Sequence, residues 1–148
     1  MSVSGAVSEI VAERWVERTL AAYPAEILPF LSGEHDRFRN PVGQVIQESL
    51  TTLARELLGA MDNRATAPAI DALVRMRAVQ DFSPSAALRF IFDLRPVIAE
   101  VCGEVTPQLE SRIDELALMA FDRYLACREQ IASLREKELR VRALSPAR

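Results

Sequence analysis

The sequence predicts an all-α protein, and three observations carry that reading. Apolar residues recur at three- and four-residue steps through most of the 148-residue chain. β-Branched runs with alternating polarity are missing, so no strand is expected. Asn40-Pro41, Ser83-Pro84 and Thr106-Pro107 each set a capping side chain before a proline suited to the first helical turn. The punctuation yields a bundle of five main helices and a short one, with a long C-terminal helix projecting from the core.

The first helix is expected from about Val7 to Ala22. Val11, Ala12, Trp15, Val16, Thr19, Ala22 and Tyr23 share one face, while Glu9, Glu13, Arg14, Glu17 and Arg18 cover the other. A short turn of helix, Pro24 to Leu31, follows. The polar loop from Ser32 to Asn40 holds the chain's single histidine, His35. The second helix runs from about Pro41 to Leu58 on a stripe of Val42, Val45, Ile46, Leu50, Leu53 and Leu57, and stops at Gly59. Asp62 to Thr66 reads as a loop. The third helix then runs from about Pro68 to Gln80, with Ile70, Leu73, Val74 and Ala78 facing inward and Arg77 in the same arc.

The fourth helix starts at Pro84 and ends at Gly103. Ala87, Phe90, Ile91, Leu94, Val97, Ile98 and Val101 form its broad apolar face, with Leu88 and Phe92 on a second flank. Pro96 cannot donate to the carbonyl of Phe92, so a kink is expected there. The fifth helix spans about residues 107–141. At 1.5 Å per residue it is roughly 50 Å long. A compact domain of this size is only ~30–35 Å across, so part of the helix must project or pack on a second copy. Its apolar seam is Ile113, Ala117, Ala120, Tyr124, Cys127, Ile131 and Leu134, continuing through Glu138 to Val141. Steps of four and three suit a meeting with a partner helix. Leu118, Met119, Phe121 and Leu125 lie off that seam, so the helix should be buried on most sides as far as Cys127. Residues 1–141 form one domain, and 142–148 a disordered tail.

Composition excludes several function classes. Net charge is −3, which does not suggest general nucleic-acid binding. The basic end from Arg135 to Arg148 reads as a solvated helix terminus. No signal peptide is seen and no run approaches the ~18 apolar residues of a membrane span; a cytoplasmic protein without membrane insertion is expected. Cys102 and Cys127 have no metal-site spacing and read as reduced, buried small side chains. His35 has no nucleophile partner, and there is no glycine-rich phosphate loop or serine elbow. No enzyme, haem, metal or other cofactor is expected. Trp15, Met76, Phe90, Met119, Phe121 and Tyr124 read as core rather than as the lining of an apolar pocket. Arg77 is the polar residue that stands out. In an apolar stripe it must reach the edge or pair with a buried acid, for which Asp81 and Asp114 are candidates; the sharper reading is a ligand anchor.

Two segments carry a family resemblance: Arg75-Met-Arg-Ala-Val-Gln-Asp-Phe-Ser-Pro-Ser to Phe92, and Arg112-Ile-Asp-Glu-Leu-Ala-Leu-Met-Ala-Phe-Asp-Arg-Tyr to Arg128-Glu129. With Trp15, Tyr23-Pro24 and Asn40-Pro41-Val42-Gly43, they resemble the RsbRD N-terminal domain family over about residues 10–140. The resemblance implies a globin-like fold that holds no haem. It also implies the dimeric sensory end of a stressosome regulator, joined by a linker helix to a phosphorylatable STAS domain. That STAS domain is not in this sequence, so no phosphoacceptor carries over. The expected function is a non-enzymatic, homodimeric signalling module that senses a ligand or binds a regulatory protein, a STAS-domain protein included. It relays through Ala117, Ala120, Tyr124, Cys127, Ile131 and Leu134. The rival is a helical adaptor subunit of a larger regulatory or redox complex.

Overall fold

Helix ends organise this protein, and side chains foreseen as caps make them. The computed structural model describes residues 2–24 and 40–144, with side chains from residue 5 onward. Among these residues there are six helices and no strand: α1 (Ser2–Leu20), α2 (Pro41–Leu58), α3 (Asn63–Val79), α4 (Pro84–Phe92), α5 (Leu94–Cys102) and α6 (Pro107–Leu144). The short helix expected at 24–31, the loop carrying His35 and the chain end at 145–148 fall outside the described residues, save for Pro24 and Asn40. No helix among the described residues is long and apolar enough to cross a membrane.

All three proline-led starts are capped as expected. Asn40 accepts the Gly43 N–H at 2.9 Å, Ser83 accepts the Ala86 N–H at 3.3 Å and Thr106 accepts the Leu109 N–H at 3.2 Å. Pro68 is different. It lies inside α3, which begins five residues earlier than the proline signal placed it. Asp62 is the cap, its carboxylate accepting the Arg64 N–H at 3.0 Å, and the Thr66 hydroxyl donates back to the Asp62 carbonyl at 2.9 Å. The expected polar loop is therefore the first turn of α3.

The expected fourth helix is two helices meeting at Asp93. Pro96 falls in the first turn of α5, where its missing N–H is not needed. The two glycine stops hold. Gly103 takes the left-handed conformation (φ +90°) that closes α5. At Gly59 a Cβ would lie 2.8 Å from the Arg55 carbonyl oxygen, so a larger residue would force the end of α2 to move.

α1 packs on α2 and α5, α2 on α3, and α3 and α4 on α6. The core at their centre includes Val11 and Trp15, Ile46, Leu50 and Leu53, Ile70 and Leu73, Phe90, Leu94 and Ile98, and Ile113 and Leu116. Each such side chain contributes roughly 1.5–3 kcal/mol on burial. α6 has 38 residues, so it is roughly 57 Å long. Cys127 is its last buried residue, and the helix continues to Leu144, three residues past the expected end.

α6 also finishes two other helices. Arg112 Nη1 donates at 2.7 Å to the carbonyls of Leu57 and of Gly59, at the end of α2. Arg128 Nη1 donates to the Ala78 carbonyl at 3.0 Å and to Asp81 Oδ1 at 2.8 Å, at the end of α3. The Tyr124 hydroxyl donates to the Phe82 carbonyl. Replacing Arg112 by alanine leaves two carbonyls of a helix end without this donor. We expect Arg112→Ala to lower unfolding free energy by about 1–2 kcal/mol in urea titration, with helicity unchanged.

Candidate functional site

Arg77 lies in the last turn of α3, and the way that helix ends builds its surroundings. Asp81 adopts the left-handed conformation (φ +65°) that glycine usually takes after a helix. The Phe82 N–H then returns to the Arg77 carbonyl at 3.1 Å and the Asp81 N–H to the Ala78 carbonyl at 3.2 Å. This closing motif brings the residue after the turn back over the last helical turn. Here it lays the Phe82 ring over the Arg77 guanidinium, 5.0 Å from centroid to carbon.

Two further rings complete a cage: Tyr23, just past α1, at 5.6 Å and Phe90 of α4 at 5.4 Å. Tyr23 and Phe82 meet at 5.9 Å. Phe90 is itself held in place. Trp15 stacks on it at 6.0 Å, and the Trp15 indole N–H donates at 2.7 Å to its carbonyl, in the last turn of α4.

Arg77 is 2% exposed and has no carboxylate partner among the described residues. Both acids that the sequence offered are used elsewhere: Asp81 pairs with Arg128, and Asp114 with Arg95. Arg95 also binds Glu110, and that hydrogen bond, more than Asp114, raises the Arg95 pKa above its ordinary value. Arg77 Nη1 donates to the carbonyls of Ala86 at 3.2 Å and, weakly, of Ala87 at 3.5 Å. Its Nε and Nη2 are buried with no hydrogen-bond partner, as are the Thr19 and Tyr23 hydroxyls. Arg77, Thr19, Ala22, Phe82, Ala86, Arg89, Phe90 and Asp93 line a cavity of about 220 Å³. A buried polar group without a partner is a rare and costly feature.

The seam residues fall into two groups. Ala120, Tyr124 and Cys127 are covered by this chain's own core; Ala117 and Ile131 are half-buried and Leu134 is 56% exposed. Of the off-seam residues, Leu118, Phe121 and Leu125 are exposed, contrary to the expectation that the helix is buried on most sides to Cys127. Phe121 instead lines an open groove of about 500 Å³ with Pro84, Leu88 and Phe92. Cys102, the last residue of α5, is exposed too; Cys127 is buried as expected. Trp15, Phe90 and Tyr124 are core, but Met76 and Met119 are only half-buried. No cluster of three or more metal-ligating side chains occurs among the described residues.

Sequence reasoning picked out Arg77 and missed the cage. Thr19 and Tyr23 looked like ordinary core-face residues. The closing turn was hidden because an aspartate, not a glycine, takes the left-handed position.

Comparison with known proteins adds a family. The family model described as the RsbT co-antagonist protein rsbRD N-terminal domain matches residues 9–139. An uncharacterized protein of Archaeoglobus fulgidus is 29% identical over 140 residues, covering 86% of this chain and 82% of that protein. No solved structure matches.

The energetics of Arg77 can be tested directly. Its orphaned groups cost roughly 1–3 kcal/mol each, and each ring face returns about 0.5–2 kcal/mol. We expect Arg77→Met to stay within about 1.5 kcal/mol of the parent in urea unfolding, well short of the ~3–5 kcal/mol lost when a buried ion pair is broken.

Proposed function

The chain belongs to the RsbT co-antagonist rsbRD N-terminal domain family, and from that premise we propose that it is a non-enzymatic, cytoplasmic signalling module that works as a homodimer. The family is a signalling sensor domain. The observation that carries the reading is the change of character along α6, whose last buried residue is Cys127 although the helix runs on to Leu144. Past Cys127 the apolar seam goes on through Ile131, which still packs partly on the core, to Leu134, which is exposed. A second copy of the same helix satisfies a self-complementary seam by two-fold symmetry.

The core and the seam are joined by covalent continuity and by Tyr124. Its hydroxyl bonds the carbonyl of Phe82, whose ring lies on Arg77. A ligand or protein that favours one position of the α3–α4 turn therefore favours one position of α6, and shifts the dimer between helix packings by its differential affinity. The end of α6 beyond Cys127 offers the docking point for a regulatory protein, a STAS-domain protein being the class that the family resemblance implies.

Light scattering after size exclusion tests the dimer. The full chain is expected to be a dimer and a version ending at Cys127 a monomer. Two dimers move the interface to the Phe92, Phe121 and Leu125 surface; a full-length monomer removes this reading in favour of an adaptor that docks on a different protein. Within the full chain, Ile131→Asp with Leu134→Asp should weaken dimerisation at least tenfold, with circular dichroism and cooperative melting retained.

A further inference from the structure

We propose that the cavity beside Arg77 binds a small organic carboxylate, gripped side-on by the Nε–H and Nη2–H of that guanidinium. This gives a ligand class to the sensing role argued above, and it rests on that reading only for what occupancy signals.

The first argument is which donors are free. Nη1 is turned to the carbonyls of Ala86 and Ala87. The orphaned pair, Nε and Nη2, is one edge of the planar guanidinium. Its two N–H bonds run parallel at the spacing of two carboxylate oxygens. Carbonyl contacts and three ring faces hold the plane of this fork before any ligand arrives.

The second argument is charge. The Arg77 guanidinium is a permanent cation, and no acid among the described residues pairs with it. The acid in the cavity wall, Asp93, lies 3.5 Å from Arg18 Nε. Arg89, in the same wall and exposed, adds a second positive charge. The third argument is the rest of the wall. Ala22, Phe82, Ala86 and Phe90 are apolar, and Thr19 carries an unpaired buried hydroxyl. That lining suits an anion with an apolar body over a fully hydrated inorganic ion. Because the fork is buried, entry needs a wall residue to move. Phe82, half-buried in the turn between α3 and α4, is the ring placed to do so.

Trp15 reports on the site. It is the chain's single tryptophan, and it stacks on Phe90 in the cavity wall. Benzoate is the probe, followed by indole fluorescence and confirmed by calorimetry on the full chain. Saturable binding is expected, with benzyl alcohol at least tenfold weaker because it leaves the fork unfilled. Arg77→Lys keeps the charge but not the fork and should lose about tenfold; Thr19→Val should lose about threefold. If Arg77→Lys does not fold by circular dichroism, Arg77→Met and Thr19→Val carry the test. No saturation with benzoate, equal binding of benzyl alcohol, saturation by inorganic phosphate alone, or unchanged affinity in the folded Arg77 variants overturns the proposal. Light scattering on the same samples separates the two readings. Binding by a monomeric chain keeps the site and removes the dimer, whereas a dimer without binding does the reverse.

Discussion

The carbonyls at the end of a helix have no partner in their own helix, and in this bundle the long C-terminal helix answers for two of its neighbours. Arg112 takes the end of α2, while Tyr124 and Arg128 take the end of α3 and the turn beyond it. These donors sit on three successive parts of one rigid rod, so the ends of α2 and α3 are set relative to each other by α6 as well as by their own connection. The apolar core gives most of the stability, as in any domain of this size, but it is non-directional. Directional bonds at the helix ends fix where each helix stops against α6. They also explain why the two segments that carry the family resemblance behave as a unit: Tyr124 and Arg128 of one reach Ala78, Asp81 and Phe82 of the other.

Phe82 has two jobs in that arrangement. Its carbonyl belongs to the contact with Tyr124, and its ring belongs to the cage around Arg77. The cage is a place where the fold accepts a cost. A core built only for stability would place an aliphatic side chain at the position of Arg77, since a buried cation without a counter-ion is among the more expensive things a core can hold. Sites that break a local rule in this way are where function is usually found. The contact path from the cage to α6 is short and continuous, running from the Phe82 ring through its carbonyl to the Tyr124 hydroxyl.

Much of the fold was legible because its signals are local. Asn40, Ser83 and Thr106 act on N–H groups a few residues away, and a single sequence displays both partners. Gly59 and Gly103 are legible for the same reason. Pro68 misled because a proline early in a helix looks like a start, although Asp62 six residues before it holds the cap. What the sequence could not display is long-range. Asp81 and Asp114 were reasonable partners for Arg77 by spacing, yet Arg128 and Arg95 reach them first, from elements far along the chain. Leu118, Phe121 and Leu125 were legible as apolar, but periodicity cannot say whether this chain or another molecule covers a given face. The site was therefore half visible: its cation could be named, and its rings, orphaned donors and cavity could not.

The portion of α6 beyond its last buried residue has the geometry of a lever. From Cys127 to Leu144 it extends about 25 Å at 1.5 Å per residue. A tilt of roughly 10° about its emergence from the core carries the tip about 4 Å, most of the ~5.4 Å height of one helical turn rather than a subtle repacking. Under the proposed relay, a partner gripping the end of this rod would meet any movement of the α3–α4 turn already magnified, and would need no fine sensor of its own to register it.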